Sequence, residues 1–543
     1  MLVGNISDID FGVILAYFAV TVGLGIWASR RRGDSSANYF LAGRNVGWIA
    51  IGASLFATNI SSEHFIGLAG SGAARGLAVG NFEWMATIFI MMLGWIFVPI
   101  YLHSGIFTIP EFLEKRFNKA SRIYLTTVSI IAYILTKISV TLFAGSLLLQ
   151  ELLGWDMYTS TIIMVVLTGI YTIMGGLGAV IYTSLIQTVI LIGGAITLTV
   201  IGLNEVGGFT GLQERLPADY FSMFKPVSDP DFPWTGMVFG APILGIWYWC
   251  TDQYIVQRVL SARNINHARS GTILAGFLKI LPVFILVLPG LIAAALYPEV
   301  SGDEAYPILV TSFVLPAGLK GVIIASLLAA LMSSLASCFN STSTLFTMDF
   351  YKLFNPSASE RRLVLMGRLA TTLMVITAIL WVPLTRLISS QIYIYMQSVQ
   401  AYISPPIAAV FLLGIFWKRL NGRGAIWALA GGGIIGAVRL VSELFYNAGQ
   451  LHSVLLIGLV KINFLHFAVY LFLVSSGIFV LVSFLSELPR PAQVYGLTFS
   501  TANGSQTSLV GMAGEKYAAW NRMNVAFSVL LMVILGGLWG MFF

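Results

Sequence analysis

The middle of an apolar stretch, Ser54 to Gly67, carries Thr58, Asn59, Ser61, Ser62, Glu63 and His64. Its frame, Val46 to Ala69, is long enough to cross a bilayer. Hydroxyl, amide, carboxylate and imidazole groups at that depth are costly unless they are buried in protein or line water. Hydrogen bonding between two helices would need fewer of them. The pattern suits a helix broken at the bilayer midplane, whose freed carbonyls and side chains line a site for an ion and a solute.

Other polar groups answer this one. Lys279 lies in AGFLKILPVF with no acidic residue near it in sequence. A buried ammonium needs a partner or a polar cavity. Glu83, in GNFEWMAT, is the candidate, either in a shared polar site or in a purely structural ion pair. A second interruption, WYWCTDQYIVQ from Trp247 to Gln257, again sets aromatic residues before a polar group, here Thr251, Asp252 and Gln253. A third cluster, Leu327 to Asp349, holds Ser333, Ser334, Ser337, Asn340, Ser341 and Ser343. Most of these read as interhelical glue. The adjacent Ser333 and Ser334 are the pair suited to meet carbonyls released at Ala57 and Ile60. A few neutral oxygens make a weak, reversible site for a hard monovalent cation, and without a carboxylate such a site does not trap a divalent one. Nucleophile–base pairs, phosphate loops and metal-ligand spacings are lacking, so an enzyme is not expected.

The elements that position these groups follow from composition. Of 543 residues, 57% are hydrophobic and 10% charged, with a mean hydropathy of +0.86. Soluble domains carry about 25% charged residues, so the class is an all-α integral membrane protein. Fourteen apolar spans are expected, near 9–28, 47–72, 80–104, 122–152, 158–176, 179–203, 235–258, 268–297, 318–348, 363–386, 390–416, 423–446, 461–485 and 521–543. The first is read as a retained helix, since no basic segment precedes it and no small-residue cleavage site follows. Cys250 and Cys338 both fall in apolar segments and imply no disulfide framework.

Charge then sets orientation. With the N-terminus outside, the inner segments 29–46, 105–122, 258–269, 349–368, 417–423 and 486–522 hold 21 of the 30 Lys and Arg residues. The outer loops hold only Arg75, Arg215, Lys225, Lys320 and Arg386. That asymmetry satisfies the positive-inside rule and places both termini outside. It also accounts for the net charge of +7 without a nucleic-acid partner. Arg30, Arg31 and Arg32 read as an orientation anchor, and Arg439 and Lys461, near span ends, as snorkelling residues. The role of Lys137 stays open. The proline-bearing loop 204–234 is long enough to cover an entrance, and Ser500 to Gln506 read as a solvated inner loop. The two interruptions lie five spans apart, in the second and seventh spans. Matching breaks in two five-helix halves are the pattern of an inverted-repeat transporter. The expected organisation is one membrane domain, 1–543, with repeats at 47–203 and 235–416 and peripheral helices at 9–28 and 423–543.

Five long motifs carry a resemblance: ASLFATNISSEHFIGLAGSGAARGLAVGNFEW, LGWIFVPIYLHSGIFTIPEFLEKRF, IWYWCTDQYIVQRVLSA, SSLASCFNSTSTLFTMD and GIFWKRLNGRGAIWALAGGGIIG. From about residue 9 to 485 the chain resembles the sodium–glucose cotransporters of the sodium:solute symporter family, its sugar-carrying branch in particular. The resemblance implies fourteen transmembrane helices with a 5+5 inverted-repeat (LeuT-like) core, alternating access and a co-transported sodium ion. It puts the ion on the carbonyls of Ala57, Ile60 and Ala330 and the hydroxyls of Ser333 and Ser334. It puts a sugar on Asn59, His64, Glu83, Lys279 and Gln397, with Trp249 beside it, Tyr248 closing the inner side and Phe82 as an outer wall. A neutral polyol suits that set: Glu accepts, Lys donates, and Asn or Gln does both. The implied partners are a hexose of the glucose or galactose type, sodium and the lipid bilayer of the cell membrane, with no obligate protein partner evident.

Four positions depart from the family pattern. Ser184 stands where many relatives carry Asp, and Ala336 where two-sodium members carry Thr, which implies one sodium per sugar. Gly245 stands where sugar-carrying relatives place an amide or hydroxyl residue, and Gln400 replaces a smaller hydroxyl residue. Those last two changes leave myo-inositol or another polar solute open as cargo, and a sodium-linked sensor that binds without accumulating is the rival from another class.

Overall fold

Without water to satisfy it, backbone inside a bilayer closes on itself as helix. The computed structural model describes residues 7–30, 35–300, 302–313, 315–385, 392–502 and 514–542. Among them the regular structure is helical, with two isolated β-bridges in the connecting segments, and eleven helices are long and apolar enough to cross a membrane. Arg31, Arg32, Arg386 and the loop residues Asn503, Gly504, Ser505 and Gln506 lie outside the described residues.

Two of the eleven are divided by glycine. At Gly176, inside Met157–Val206, φ is 53° and ψ −151°. At Gly76, inside His64–Ser104, φ is 72° and ψ −150°. Only glycine reaches that region cheaply, and a Cβ would in any case strike the Tyr39 carbonyl oxygen at 2.4 Å or that of Tyr220 at 2.2 Å. Both glycines therefore turn the chain between consecutive runs of helix.

Two helices break instead at polar residues. Trp48–Asn59 ends at Ile60, which is extended (φ −78°, ψ 116°), and helix resumes beyond Ser61. Ile246–Thr251 ends at Asp252, also extended (φ −82°, ψ 126°), and Gln253–Leu260 follows. The Asp252 carboxylate caps the restart by accepting from the Tyr254 N–H at 3.0 Å.

Burial sorts the rest. The serine-rich Leu319–Phe354 is the most enclosed span, 94% of its apolar window being buried, whereas Tyr517–Met541 is 17% buried and lies at the rim. The serine-rich helix packs on Met157–Val206 and on Asp8–Arg30, and Ile265–Leu278 lies along Trp48–Asn59. Gly52 lets that last pair approach, since a Cβ there would meet the Leu274 side chain at 2.8 Å. Asn118, Asn264 and Asn421 each cap a helix start with the side-chain oxygen, satisfying N–H groups a helix end leaves free. Loop residue Phe232 meets the Phe82 ring at 6.1 Å, and Arg75 pairs with Asp231 at 2.7 Å, so this loop covers one end of the bundle.

One expectation fails. Arg439 does not snorkel: it is 3% exposed, paired with Glu443 at 2.8 Å, bonded to the Val460 carbonyl and seated on the Tyr402 ring. A guanidinium supplied with a carboxylate, a carbonyl and a ring has no need of the interface. Lys461 is exposed, as expected.

Candidate functional site

The breaks, the Glu83 helix, the Lys279 helix and Ile392–Phe416 enclose one cavity. Its lining includes all eight residues expected of a sugar site: Asn59, His64, Phe82, Glu83, Tyr248, Trp249, Lys279 and Gln397. Its volume is about 60 Å³, against roughly 300–1,000 Å³ for pockets that enclose a ligand. A sugar ring enters only if the walls part.

Each side chain is placed by a local feature. Lys279 caps the end of Ile265–Leu278, where the helical ladder loosens and the ammonium can turn inward. It ion-pairs with the Glu83 carboxylate, donates to Asn59 Oδ1 and lies 5.6 Å from the Trp249 ring centre. Glu83, in the first turn of Asn81–Met92, also faces His64 Nε2 at 3.6 Å. On its other side His64 Nδ1 is 4.0 Å from the Glu63 carboxylate. Asn59, the last residue before the first break, donates to the Tyr248 hydroxyl at 3.1 Å. Gln397 donates to the Tyr393 hydroxyl at 2.9 Å, and Tyr393 stands edge-on to His64 and Phe82. Tyr393 was not among the expected residues, although its position four before Gln397 on one helix face was a signal for it.

Lys137 also reaches the cavity. Its ammonium is held over the rings of Tyr248 at 4.3 Å and Tyr254 at 5.0 Å, a cation–π arrangement. Gly245 has a packing reason: a Cβ there would fall 2.3 Å from the Phe89 ring. The place a polar side chain would take is filled by an aromatic one. Gln400 lines the same wall.

The residues expected at an ion site lie in the first broken helix and in the serine-rich helix. Ala57, Ile60, Ala330 and Ser333 are fully buried and Ser334 is 4% exposed. The Ser334 hydroxyl donates to the Thr58 carbonyl at 3.1 Å, between the two carbonyls expected of it, and Tyr254 donates to the same oxygen at 2.6 Å. Ser333 Oγ lies 3.1 Å from Ser184 Oγ. Ser334 thus meets the backbone just before the break, whereas Ser333 meets Met157–Val206.

An all-helical bundle with two broken helices joined across a polar cavity is the build of a membrane transporter. The chain belongs to the sodium:solute symporter family, whose model matches residues 39–432. It is 43% identical to the sodium/glucose cotransporter 4 of Mus musculus (92% of this chain, 79% of the relative). It is 43% identical to the sodium/mannose cotransporter of Bos taurus (98% and 96%), and 42% identical to the sodium/myo-inositol cotransporter of Homo sapiens (90% and 75%). Among solved structures it superposes on a Na+-coupled sialic acid symporter with a TM-score of 0.76, covering 89% of this chain and 99% of that one at 24% identity. Mhp1, a nucleobase-cation-symport-1 transporter, matches at 0.53 over 86% of this chain and 99% of that one, at 14% identity. The protein is therefore a multi-pass membrane transporter and not an enzyme, and sodium is its co-transported ion.

Proposed function

We propose that the chain imports a neutral hexose, of the glucose or galactose type, together with one sodium ion by alternating access in the cell membrane. The observation that carries this is the network in which Lys279 joins Glu83 and Asn59, and Asn59 joins Tyr248, in one cavity. It offers a paired acceptor, donor and amide to hydroxyls, and aromatic faces to the C–H side of a ring.

In this reading the spans number fourteen: both glycine-divided helices count twice, and the broken helix around Asp252 adds one. Repeats at 47–203 and 235–416 are supported by matching extended breaks at Ile60 and Asp252. Both termini face outward, as the positive charge on the alternate loops favours.

Sodium enters from outside and binds the Ala57, Ile60 and Ala330 carbonyls with the Ser333 and Ser334 hydroxyls. It ties the first broken helix to the serine-rich helix and aligns Asn59 and His64 for sugar. Sugar then favours outer closure, and loss of sodium to the cytoplasm loosens Tyr248. The coupling acts reciprocally on both affinities. One charge crossing about 100 mV yields about 2.3 kcal/mol, and a tenfold sodium gradient adds about 1.4 kcal/mol. Together they hold a sugar gradient of about 500-fold, so one ion suffices.

A second reading, myo-inositol or a similar polyol as cargo, is supported by the relative named for myo-inositol. Sodium-driven uptake of labelled hexoses and inositol into proteoliposomes, with ion flux counted, decides between them. Uphill glucose or galactose uptake at one charge per sugar is expected. Binding without uphill uptake would make the protein a sensor and end the proposal.

A further inference from the structure

The helix Asp8–Arg30 precedes both repeats, and its outer face, with Ile9, Leu15 and Val20, is exposed on the rim of the bundle. One stripe is buried: Asp10, Ile14, Tyr17, Thr21, Gly25 and Ala28, at the three-and-four spacing of a packed helix face. Gly25 lets this helix approach Met157–Val206, since a Cβ there would strike the Tyr171 side chain. The Asp10 carboxylate accepts from the Gly318 and Gly321 N–H groups at 2.9 and 2.7 Å, and so seats the start of the serine-rich helix.

Tyr17 carries the contact furthest inward. Its hydroxyl accepts from Gln187 Nε2 at 3.2 Å and donates to the Met332 sulfur at 3.5 Å. Met332 is gripped a second time, because the Tyr171 hydroxyl donates to its carbonyl at 3.1 Å. The next residue is Ser333, whose Oγ lies 3.1 Å from Ser184 Oγ. Ser184 stands three residues before Gln187 in one helix, hence on the same face. Tyr17, Gln187, Ser184, Ser333 and Met332 thus close a ring through three helices, and every member is buried. None of the five lines the cavity. A cation on neutral oxygens depends on how those oxygens are turned. A hydroxyl has one proton and two lone pairs, so Ser333 offers a lone pair to an ion only while its proton goes elsewhere, and Ser184 Oγ is the acceptor in reach. Groups behind a ligand fix that choice.

We propose that Tyr17, from outside both repeats, is a positioning residue for sodium: by holding Gln187 and Met332 it fixes the separation of Ser184 and Ser333 and keeps the Ser333 hydroxyl turned for the ion. The role presupposes the proposed ion shell at Ser333 and Ser334, and adds to it a residue that touches neither ion nor solute. Tyr171 is the second strut, acting on the Met332 carbonyl. Packing alone would need only the Tyr17 ring, whereas the hydroxyl serves the two polar contacts. Its removal leaves the buried Gln187 amide without that acceptor, a cost relieved only by moving the helix that carries Ser184.

Binding of radiolabelled sodium to purified full-length protein, with no solute present, reads the half-saturating concentration directly. Tyr17→Phe, which keeps the ring, should raise it about tenfold, the lower end for a group that supports a ligand. Tyr171→Phe should raise it too, and gives an independent reading where Tyr17→Phe folds poorly. Val20→Ala, on the exposed face of the same helix, should leave it unchanged. In a Ser333→Ala background Tyr17→Phe should add nothing, because effects that run through one group do not sum. A lower Tm in both tyrosine variants at unchanged half-saturating sodium, or the same rise with the Ser333 hydroxyl already removed, overturns the assignment. The ion shell is read separately. Sodium binding undiminished in Ser333→Ala with Ser334→Ala removes the shell and the role of Tyr17 with it. Binding lost there, with both tyrosine variants silent, removes the role of Tyr17 alone.

Discussion

Asn59 donates its side-chain amide to the Tyr248 hydroxyl at 3.1 Å. The first residue ends one broken helix and the second lies just ahead of the break in the other. One hydrogen bond therefore ties the two interrupted elements across the cavity. Tyr248→Phe removes it while keeping the ring. The expected result is faster release of bound solute and about a fivefold loss of affinity, in line with about 1 kcal/mol for a neutral hydrogen bond. Stopped-flow release from proteoliposomes measures it.

The Lys279–Glu83 pair is almost wholly buried, at 1% and 4% side-chain exposure. Removing one partner leaves an uncompensated charge at a cost of about 3–5 kcal/mol. Glu83→Gln alone should therefore lower Tm more than Glu83→Gln with Lys279→Met. Both variants should lose solute binding by about 10- to 100-fold, since bonds to charged groups are worth about 1.5–3 kcal/mol. Thermal melts with equilibrium binding separate the two effects.

Ser334 holds the serine-rich helix to the Thr58 carbonyl at 3.1 Å. Ser334→Ala should raise the half-saturating sodium concentration about tenfold, about 1.4 kcal/mol, with less effect on solute affinity at saturating sodium. Ser333→Ala with Ser334→Ala should abolish sodium-dependent uptake. Undiminished sodium dependence in the double variant rules out the proposed ion shell.

Gly245 gives up its side-chain space to Phe89. Gly245→Gln should overpack the wall and cost about 1–3 kcal/mol. Adding Phe89→Ala should restore expression and shift the preference between hexose and inositol, read as competition for labelled glucose uptake. Unchanged preference in the double variant excludes this wall as a determinant of cargo.

Outside the spans, the turn Gly302–Glu304 presents Asp303, whose carboxylate accepts from the Ile392 N–H at 3.0 Å. Burial pushes its carboxyl up to about 7. The folded state therefore holds a proton that the unfolded chain, ionising near its usual value of about 3.9, has released. Stability falls as pH rises between those two values. Tm should be higher at pH 5 than at pH 8, by roughly 2 °C, and Asp303→Asn should flatten that slope. A slope unchanged in the variant assigns the effect elsewhere.

Much of the site was legible from residue types alone. Asn, Glu and His in an apolar stretch announced a break, and an unpaired Lys279 required a partner such as Glu83. Desolvation makes such residues rare at membrane depth, so their presence carries information without coordinates. Tyr393 and Phe89 were harder, because an aromatic residue in an apolar helix looks alike whether it faces lipid, core or cavity. Arg439 misled, because sequence position shows nearness to a span end but not the Glu443, Val460 and Tyr402 contacts that satisfy it.

By itself the sequence determined where two helices must stop, at Asn59–Ser61 and at Asp252, by polar cost, whereas the turns at Gly76 and Gly176 were shown by the structure. It also determined which charges could not stand alone. Only the tertiary structure decided which groups meet: Ser334 with the Thr58 carbonyl, Ser333 with Ser184, Phe89 in the space left by Gly245. A break is settled within a few residues by local chemistry, whereas a contact across 149 or 276 positions of chain depends on how whole helices pack.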